Sequence, residues 1–385
     1  MKYRLSKIAQ AIPPSGIRQF FELVIGMKDV VSLGVGEPDF VTPWNIIESA
    51  IFSMEQGYTS YTSNKGMVEL RREISHFLNR RYSLKYDPEE EILITVGVSE
   101  GKDLALRTIL NRGDKVLMAE PCYVSYMPLT ALAGGKAVYL YTSKDNGFKL
   151  SPKQIDKACD KRTKVLFLNY PSNPTGASYT KKELKEIARV VEKRNLLVIS
   201  DEIYGELTYD FDHTPFASLD GMKKRTIYLN GFSKAYAMTG WRVGFACGPR
   251  EIIDVMTKIH QYTIMCVPIM GQMASIEALK NGHKSVEEMK KEYRRRREFI
   301  VDGLNDLGLE CHKPQGAFYV FPSIKSTGQN SVEFATNLLK KENVAVVPGT
   351  AFGPSGEGYV RMSYASSLAN IKEALSRISH FLASK

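Results

Sequence analysis

Between residues 90 and 250 the chain alternates short apolar runs with stretches whose apolar residues recur every three or four positions. The runs EILITVG, DKVLMAE, KAVYLY, KVLFLNY, LLVISDE, TIYLNGF and WRVGFACG are short and nearly continuous in Val, Ile, Leu and Phe. That pattern predicts strands buried on both faces. Between two of them, TKKELKEIARVVEKRN sets Leu184, Ile187, Val190 and Val191 on one helical stripe. Strand and helix in alternation predict βαβ units, hence a mostly parallel sheet covered on both sides. Ligands of such sheets collect at the carboxyl ends of the strands.

Beyond Pro249 the pattern turns helical to about Leu309, including a long polar-faced segment from Ser285. The tail then changes character. GAFYVFPS, NVAVVPG and EGYVRMSYA predict strands, with helices at 331–341 and 368–382, which together make a small α+β lobe. The first 45 residues carry Pro13, Pro14, Gly34, Gly36 and Pro38 and predict an arm with a loop. The expected division is an arm with part of the small domain at 1–45, a large ligand-binding domain at 46–285 and a small domain at 286–385. A length of 385 residues suits two lobes better than one core.

Composition narrows the class without naming it. The chain is 43% hydrophobic and 24% charged, with no stretch near the ~20 apolar residues of a membrane span and no signal-type leader. Five scattered cysteines, none in a CxxC pair, predict reduced thiols, a cytoplasmic location and no metal. The net charge of +10 suits an anionic ligand, plain solubility or nucleic acid. Its densest run, Arg294 to Arg297, points all round a helix axis and forms no phosphate-facing stripe, so the expectation there is a solvated helix.

The chemistry sits where the strands end. LLVISDEIYGEL closes an apolar strand on Asp201, with Tyr204 three residues on; a helix N-cap is the alternative reading of Asp201. VLFLNYPSNPTG ends at Asn173, which also suits a tight turn. ILITVGVSEGKDL passes from strand to helix through Val98, Ser99 and Glu100, whose backbone N–H groups form an anion site. The glycine spacing there is wrong for a nucleotide P-loop, and GVGEPD at Gly34 lacks the third glycine of a dinucleotide fingerprint. In LNGFSKAYAMTGWRVGF a lone Lys234 lies eight residues before Arg242 among small residues. A lysine for an aldehyde, an arginine and helix start for a phosphate, and a carboxylate for a ring nitrogen describe pyridoxal 5′-phosphate. On the last strand, Arg361 shares a face with Tyr359 and Ser363, and a charge on a buried strand needs a partner that a substrate carboxylate can supply; an edge strand facing water is the alternative.

LGVGEPDF, YTSNKGMVELR, PSNPTG, SDEIYGEL, NGFSKAYAMTGWRVGF, KPQGAFYVFP and GEGYVRMSYA occur in order from residue 33 to 365. The chain thereby resembles the class I/II aminotransferases of fold type I, most closely those for aromatic amino acids or N-acetyl-LL-diaminopimelate. The resemblance implies a large domain with a mostly parallel seven-stranded sheet and a small α+β domain. It implies Lys234 as the lysine joined to the cofactor and as proton shuttle, with Asp201 on the ring nitrogen and Asn173 and Tyr204 on the phenolic oxygen. Arg242 and the backbone of Val98, Ser99 and Glu100 would hold the phosphate, Tyr123 would stack on the ring, and Arg361 with the Gly36 backbone would clamp the substrate carboxylate. Tyr61 resembles a residue that reaches a partner subunit's cofactor phosphate, which implies a homodimer with shared sites. Relatives place Ser three residues before the lysine; here that residue is Gly231, which leaves the part played by Ser233 open.

For the substrate, Ile17, Phe20, Phe21 and Phe318 suit an apolar side-chain pocket or ordinary core, and no second arginine stands out for a dicarboxylate. The expectation is transfer between aromatic or N-acetyl-LL-diaminopimelate-like donors, with aspartate in a broad range, and 2-oxoglutarate, by a ping-pong route. A pyridoxal-phosphate-dependent C–S lyase shares the cofactor residues and is the alternative. The aminotransferase-like domain of a DNA-binding regulator is disfavoured because the family motifs begin by residue 33.

Overall fold

The structure, a computed structural model, describes residues 3–18, 22 and 27–384. Phe20 and Phe21 lie outside the described residues. β1 (Val31–Ser32) is a short strand of the N-terminal segment. Seven strands then form one sheet: β2 (Ile92–Thr95), β3 (Lys115–Glu120), β4 (Lys136–Tyr141), β5 (Thr163–Asn169), β6 (Leu197–Asp201), β7 (Thr226–Gly231) and β8 (Gly244–Cys247). Their spatial order is β2-β8-β7-β6-β5-β3-β4. All neighbours run parallel except β8, which is antiparallel to both β2 and β7. Each of the seven apolar runs thus supplies one strand of the sheet.

The tail forms a second layer system. β9 (Tyr319–Val320), β11 (Val347–Pro348) and β12 (Val360–Ser363) make a three-stranded antiparallel sheet in the order β11-β12-β9. β10 (Val344–Ala345) pairs in parallel with β1, so the N-terminal segment completes this lobe. Leu33 accordingly packs in one core with Tyr293, Phe334, Met362 and Phe381, while Ile46, Ile74, Ile92 and Phe245 share another.

Local chemistry sets the element ends. The helix Lys181–Lys193 starts where Thr180 accepts from Glu183 N and Glu183 reaches back to Thr180 N, a capping box that contributes about 1 kcal/mol. Its Leu184, Ile187 and Val191 are buried against the sheet core.

The arginine run departs from expectation. On the helix His283–Asp306, Arg294 and Arg295 are solvated, at 59% and 64% side-chain exposure. Arg296 and Arg297 turn inward. Arg296 Nη1 donates to both carboxylate oxygens of Asp39, at 2.8 and 2.9 Å. Arg297, fully buried, grips Asp210 at 2.6 and 2.8 Å and Pro314 O at 2.8 Å. Four like charges on successive positions include both faces of a helix, and two of them found carboxylates on the inner one.

Candidate active site

The carboxyl ends of β5, β6 and β7 point into one cavity of about 1140 Å³. Strand register lines them up, since Asn169 at the end of β5 sits opposite Asp201 at the end of β6. Asn169 then ties the turn to the sheet: its Nδ2 donates to Asp201 O at 2.9 Å and its Oδ1 accepts from Asn173 N at 3.1 Å.

Asp201 is buried. Its Oδ2 accepts from Tyr126 Oη at 3.0 Å and faces Lys102 Nζ at 3.9 Å, while Oδ1 accepts from Ile203 N at 3.4 Å. Burial pushes its carboxyl up, and the Lys102 ammonium and the Tyr126 bond pull it back. No helix N-cap accounts for it: β6 ends on Asp201, and the next helical turn begins at Gly205.

Lys234 follows β7 and donates to Gly36 O at 2.7 Å. Its amine lies 5.9 Å from the Tyr204 ring centre and 5.8 Å from that of Phe318. Burial pulls its pKa down to about 8, with Arg361, Arg242 and Lys102 adding to the fall and Glu37 opposing it. An amine held near neutrality is a ready nucleophile towards a carbonyl.

Arg361 comes from β12 of the small lobe and is fully buried, with no carboxylate partner among the described residues. It donates to Asn173 Oδ1 at 3.0 Å and Gly34 O at 2.5 Å, and its guanidinium lies 4.5 Å over the Tyr319 ring. Burial lowers its pKa, and Nε has no partner among the described residues. A buried guanidinium with an idle donor is built for an anion that arrives from outside.

At the other end of the cavity the helix Gly97–Ile109 begins beside Arg242, which donates to Thr239 O at 2.9 Å. Two glycines permit that approach. A Cβ on Gly244 would fall 2.7 Å from Gly97 C and Val98 N, and one on Gly97 would fall 2.7 Å from Arg242 Nη2. The same packing explains Gly231: its Cβ would sit 2.8 Å from Gly244 Cα and 3.0 Å from Val243 O. A serine does not fit there without moving backbone.

The cavity gathers Ile17, Gly36, Val98, Ser99, Tyr123, Asn173, Asp201, Tyr204, Ser233, Lys234, Arg242 and Arg361, which is most of what the sequence singled out. Three candidates stand outside its lining. Glu100 turns its carboxylate to Val96 N at 2.5 Å and His260 Nδ1 at 2.7 Å. Phe318 is fully buried in the small-lobe core. Tyr61 is 82% exposed on the single chain. The cavity also holds residues that the sequence reading passed over, among them Arg18, Lys102, Tyr126, Asn169 and Tyr319. Tyr319 links Tyr204 Oη at 2.8 Å to Gly36 O at 3.4 Å.

The donor set fits pyridoxal 5′-phosphate. A helix start, the Arg242 guanidinium, a buried carboxylate and an amine line one cavity together with a buried arginine that keeps an idle donor.

A family model described as aminotransferase class I and II matches residues 28–378. The chain is 54% identical to a putative aminotransferase, YugH, of Bacillus subtilis, with 98% of each chain covered. It is 46% identical to an aspartate aminotransferase of Pyrococcus abyssi, covering 97% of each. Among solved structures, an aromatic aminotransferase from Pyrococcus horikoshii superposes with a TM-score of 0.91 at 44% identity, over 96% of this chain and 99% of that one. The chain belongs to the class I and II aminotransferases, pyridoxal-phosphate-dependent enzymes of fold type I that transfer amino groups.

Proposed function

We propose that this aminotransferase carries amino groups between a broad set of L-amino acids and 2-oxoglutarate by a ping-pong route. The observation that carries the reading is the gathering of Lys234, Asp201, Asn173, Tyr204, Arg242 and Arg361 around one cavity. Bound pyridoxal 5′-phosphate supplies an aldehyde carbon and a ring that accepts electrons from the substrate Cα. Arg242, Ser99, Ser233 and the N–H groups of the helix start at Val98 hold the phosphate, with the Glu100 side chain bracing that turn. Asp201 would hold the ring nitrogen protonated, Asn173 and Tyr204 would take the phenolic oxygen, and Tyr123 would stack on the ring. Lys234 would be the residue that joins the cofactor's aldehyde carbon, and its amine would be the base for the proton on the substrate Cα. Arg361 grips the α-carboxylate with the Gly36 backbone beside it.

Ile17, Val35 and Arg18 from the N-terminal segment also line the cavity and are the residues we assign to the substrate side chain. Apolar Ile17 and Val35 beside the exposed Arg18 guanidinium suit aromatic side chains and the distal carboxylate of 2-oxoglutarate alike, and they admit aspartate, with Glu22 and Glu37 in the same lining. The relatives support that breadth, because their names cover aspartate, aromatic and, in a Bacillus subtilis protein 43% identical to this chain, N-acetyl-LL-diaminopimelate transfer. Phe318 contributes from behind, by packing against Tyr204 and Tyr319.

The working form is a homodimer. Tyr61 and Tyr262, at 82% and 86% exposure, sit on segments joined by the Asn64–Met265 bond, and two large bare rings call for cover. Unpaired cysteines, together with the lack of any described helix long and apolar enough to cross a membrane, support a cytoplasmic setting.

A panel of amino donors, each mixed with holoenzyme and no oxo acid, tests the reading. Conversion of cofactor to its amine form by tyrosine, phenylalanine and aspartate, reversed by 2-oxoglutarate, is expected. Conversion by aspartate alone would confine the range, and pyruvate with sulfide released from cysteine would point to lyase chemistry. Arg18→Ala should raise KM for 2-oxoglutarate and aspartate while sparing phenylalanine.

A further inference from the structure

One buried cation has no part in the reading above. Lys102 lies in the first turns of the helix Gly97–Ile109, almost wholly buried, with its ammonium 3.9 Å from Asp201 Oδ2. It is held on every side. Its Nζ donates to Ser125 Oγ at 3.1 Å and lies 4.5 and 5.1 Å from the ring centres of Tyr123 and Tyr126. Two aromatic faces and a hydroxyl favour the charged form of a desolvated lysine. The carboxylate it faces is the one that also takes the Tyr126 hydroxyl.

We propose that Lys102 is a positioning residue for Asp201: its ammonium keeps that buried carboxylate ionised and aimed before the cofactor ring arrives. A carboxyl stripped of water protonates unless a counter-charge lies close by. Only an ionised Asp201 can hold a protonated ring nitrogen, so the affinity of the empty enzyme for the cofactor depends on Lys102. The groups that face it are Asp201 from β6, Tyr123 and Tyr126 from the segment after β3, and Arg242 and Lys234 from the segment between β7 and β8. Burial lowers the Lys102 pKa, Asp201 opposes that fall and Arg242 adds to it. The inference rests on the assignment of Asp201 to the ring nitrogen.

The test is equilibrium binding of pyridoxamine 5′-phosphate to the cofactor-free full chain, followed by fluorescence from about pH 8 to about pH 5.5. This ligand forms no covalent link, so Lys234 chemistry drops out. With Lys102→Met, Asp201 takes up a proton at higher pH, and the ratio of variant to wild-type Kd should grow at least about fivefold as pH falls across that range. Titration of the ligand's phosphate is common to both proteins and cancels in the ratio. Lys102→Arg keeps the charge and should restore the wild-type profile, whereas Lys102→Gln should follow the methionine variant and stands in for it if that chain does not fold. Parallel profiles for wild type and both neutral variants would overturn the role of Lys102 alone. Failure of wild type itself to bind the ligand would overturn the cofactor assignment with it.

Discussion

Arg361 donates to Asn173 Oδ1 at 3.0 Å, a bond between the last strand of the small lobe and the turn that ends a large-lobe strand, 188 residues apart in sequence. Among the described residues no carboxylate pairs with Arg361 and its Nε has no partner, while its side chain lines the cavity. Arg361→Met should therefore raise KM for every amino and oxo acid by about 100-fold or more, the loss of a charge-assisted fork. Affinity for the cofactor should change by less than about threefold. Steady-state kinetics beside a cofactor titration separate the two, and equal losses would contradict the assignment.

Lys234 gives a stability prediction with a definite sign. Its folded pKa of about 8 lies below the ordinary lysine value, so between the two the native chain binds fewer protons than the unfolded chain. Native stability from this group then rises as pH climbs through that window, and the burial penalty is complete below about pH 8. Cofactor-free Lys234→Met should be more stable than wild type at pH 7, by roughly 2 kcal/mol, with the gap closing towards pH 10. Urea melts at the two pH values read this out. The same pKa predicts that the rate of cofactor attachment to the empty wild-type enzyme increases through about pH 8, as the ammonium becomes free amine.

Gly231 offers a test of packing. Restoring the serine that relatives carry would place a Cβ 2.8 Å from Gly244 Cα, against backbone that cannot turn aside. Gly231→Ser should cost about 1–3 kcal/mol of stability and bring no gain in cofactor affinity. A variant of unchanged stability that binds the cofactor more tightly would show that the strands part without difficulty.

The arginine run divides in two. Arg297→Ala strands Asp210 and Pro314 O beside a cavity and should cost about 3 kcal/mol, discounted from a fully buried pair because Asp210 is partly exposed. Arg295→Ala, on the solvent face, should stay within about 0.5 kcal/mol. Thermal unfolding of the two variants distinguishes them.

These cases mark what the sequence could carry. The seven strands were legible because β-branched and aliphatic runs buried on both faces have no other use at that length, and the polar residues at their ends stood out for the same reason. Asn169 carried that signal too, yet it lay inside a run read as strand, one residue before the turn. Lys102 and Tyr126 were invisible because their partners, Asp201 and Ser125, come from other segments, and a lone lysine on a helix reads as solvated. Arg296 and Arg297 failed likewise: which face of a charged helix is covered depends on Asp39 and Asp210, more than 80 residues away. Gly231 could not be understood without the strand register that sets it against Gly244.

The most direct measurement is borohydride reduction of the purified enzyme after incubation with pyridoxal 5′-phosphate, followed by peptide mass mapping. One phosphopyridoxyl group per chain is expected, on Lys234, with Lys102 and the surface lysines unmodified. Label absent from Lys234, or found equally on Lys102, would contradict it.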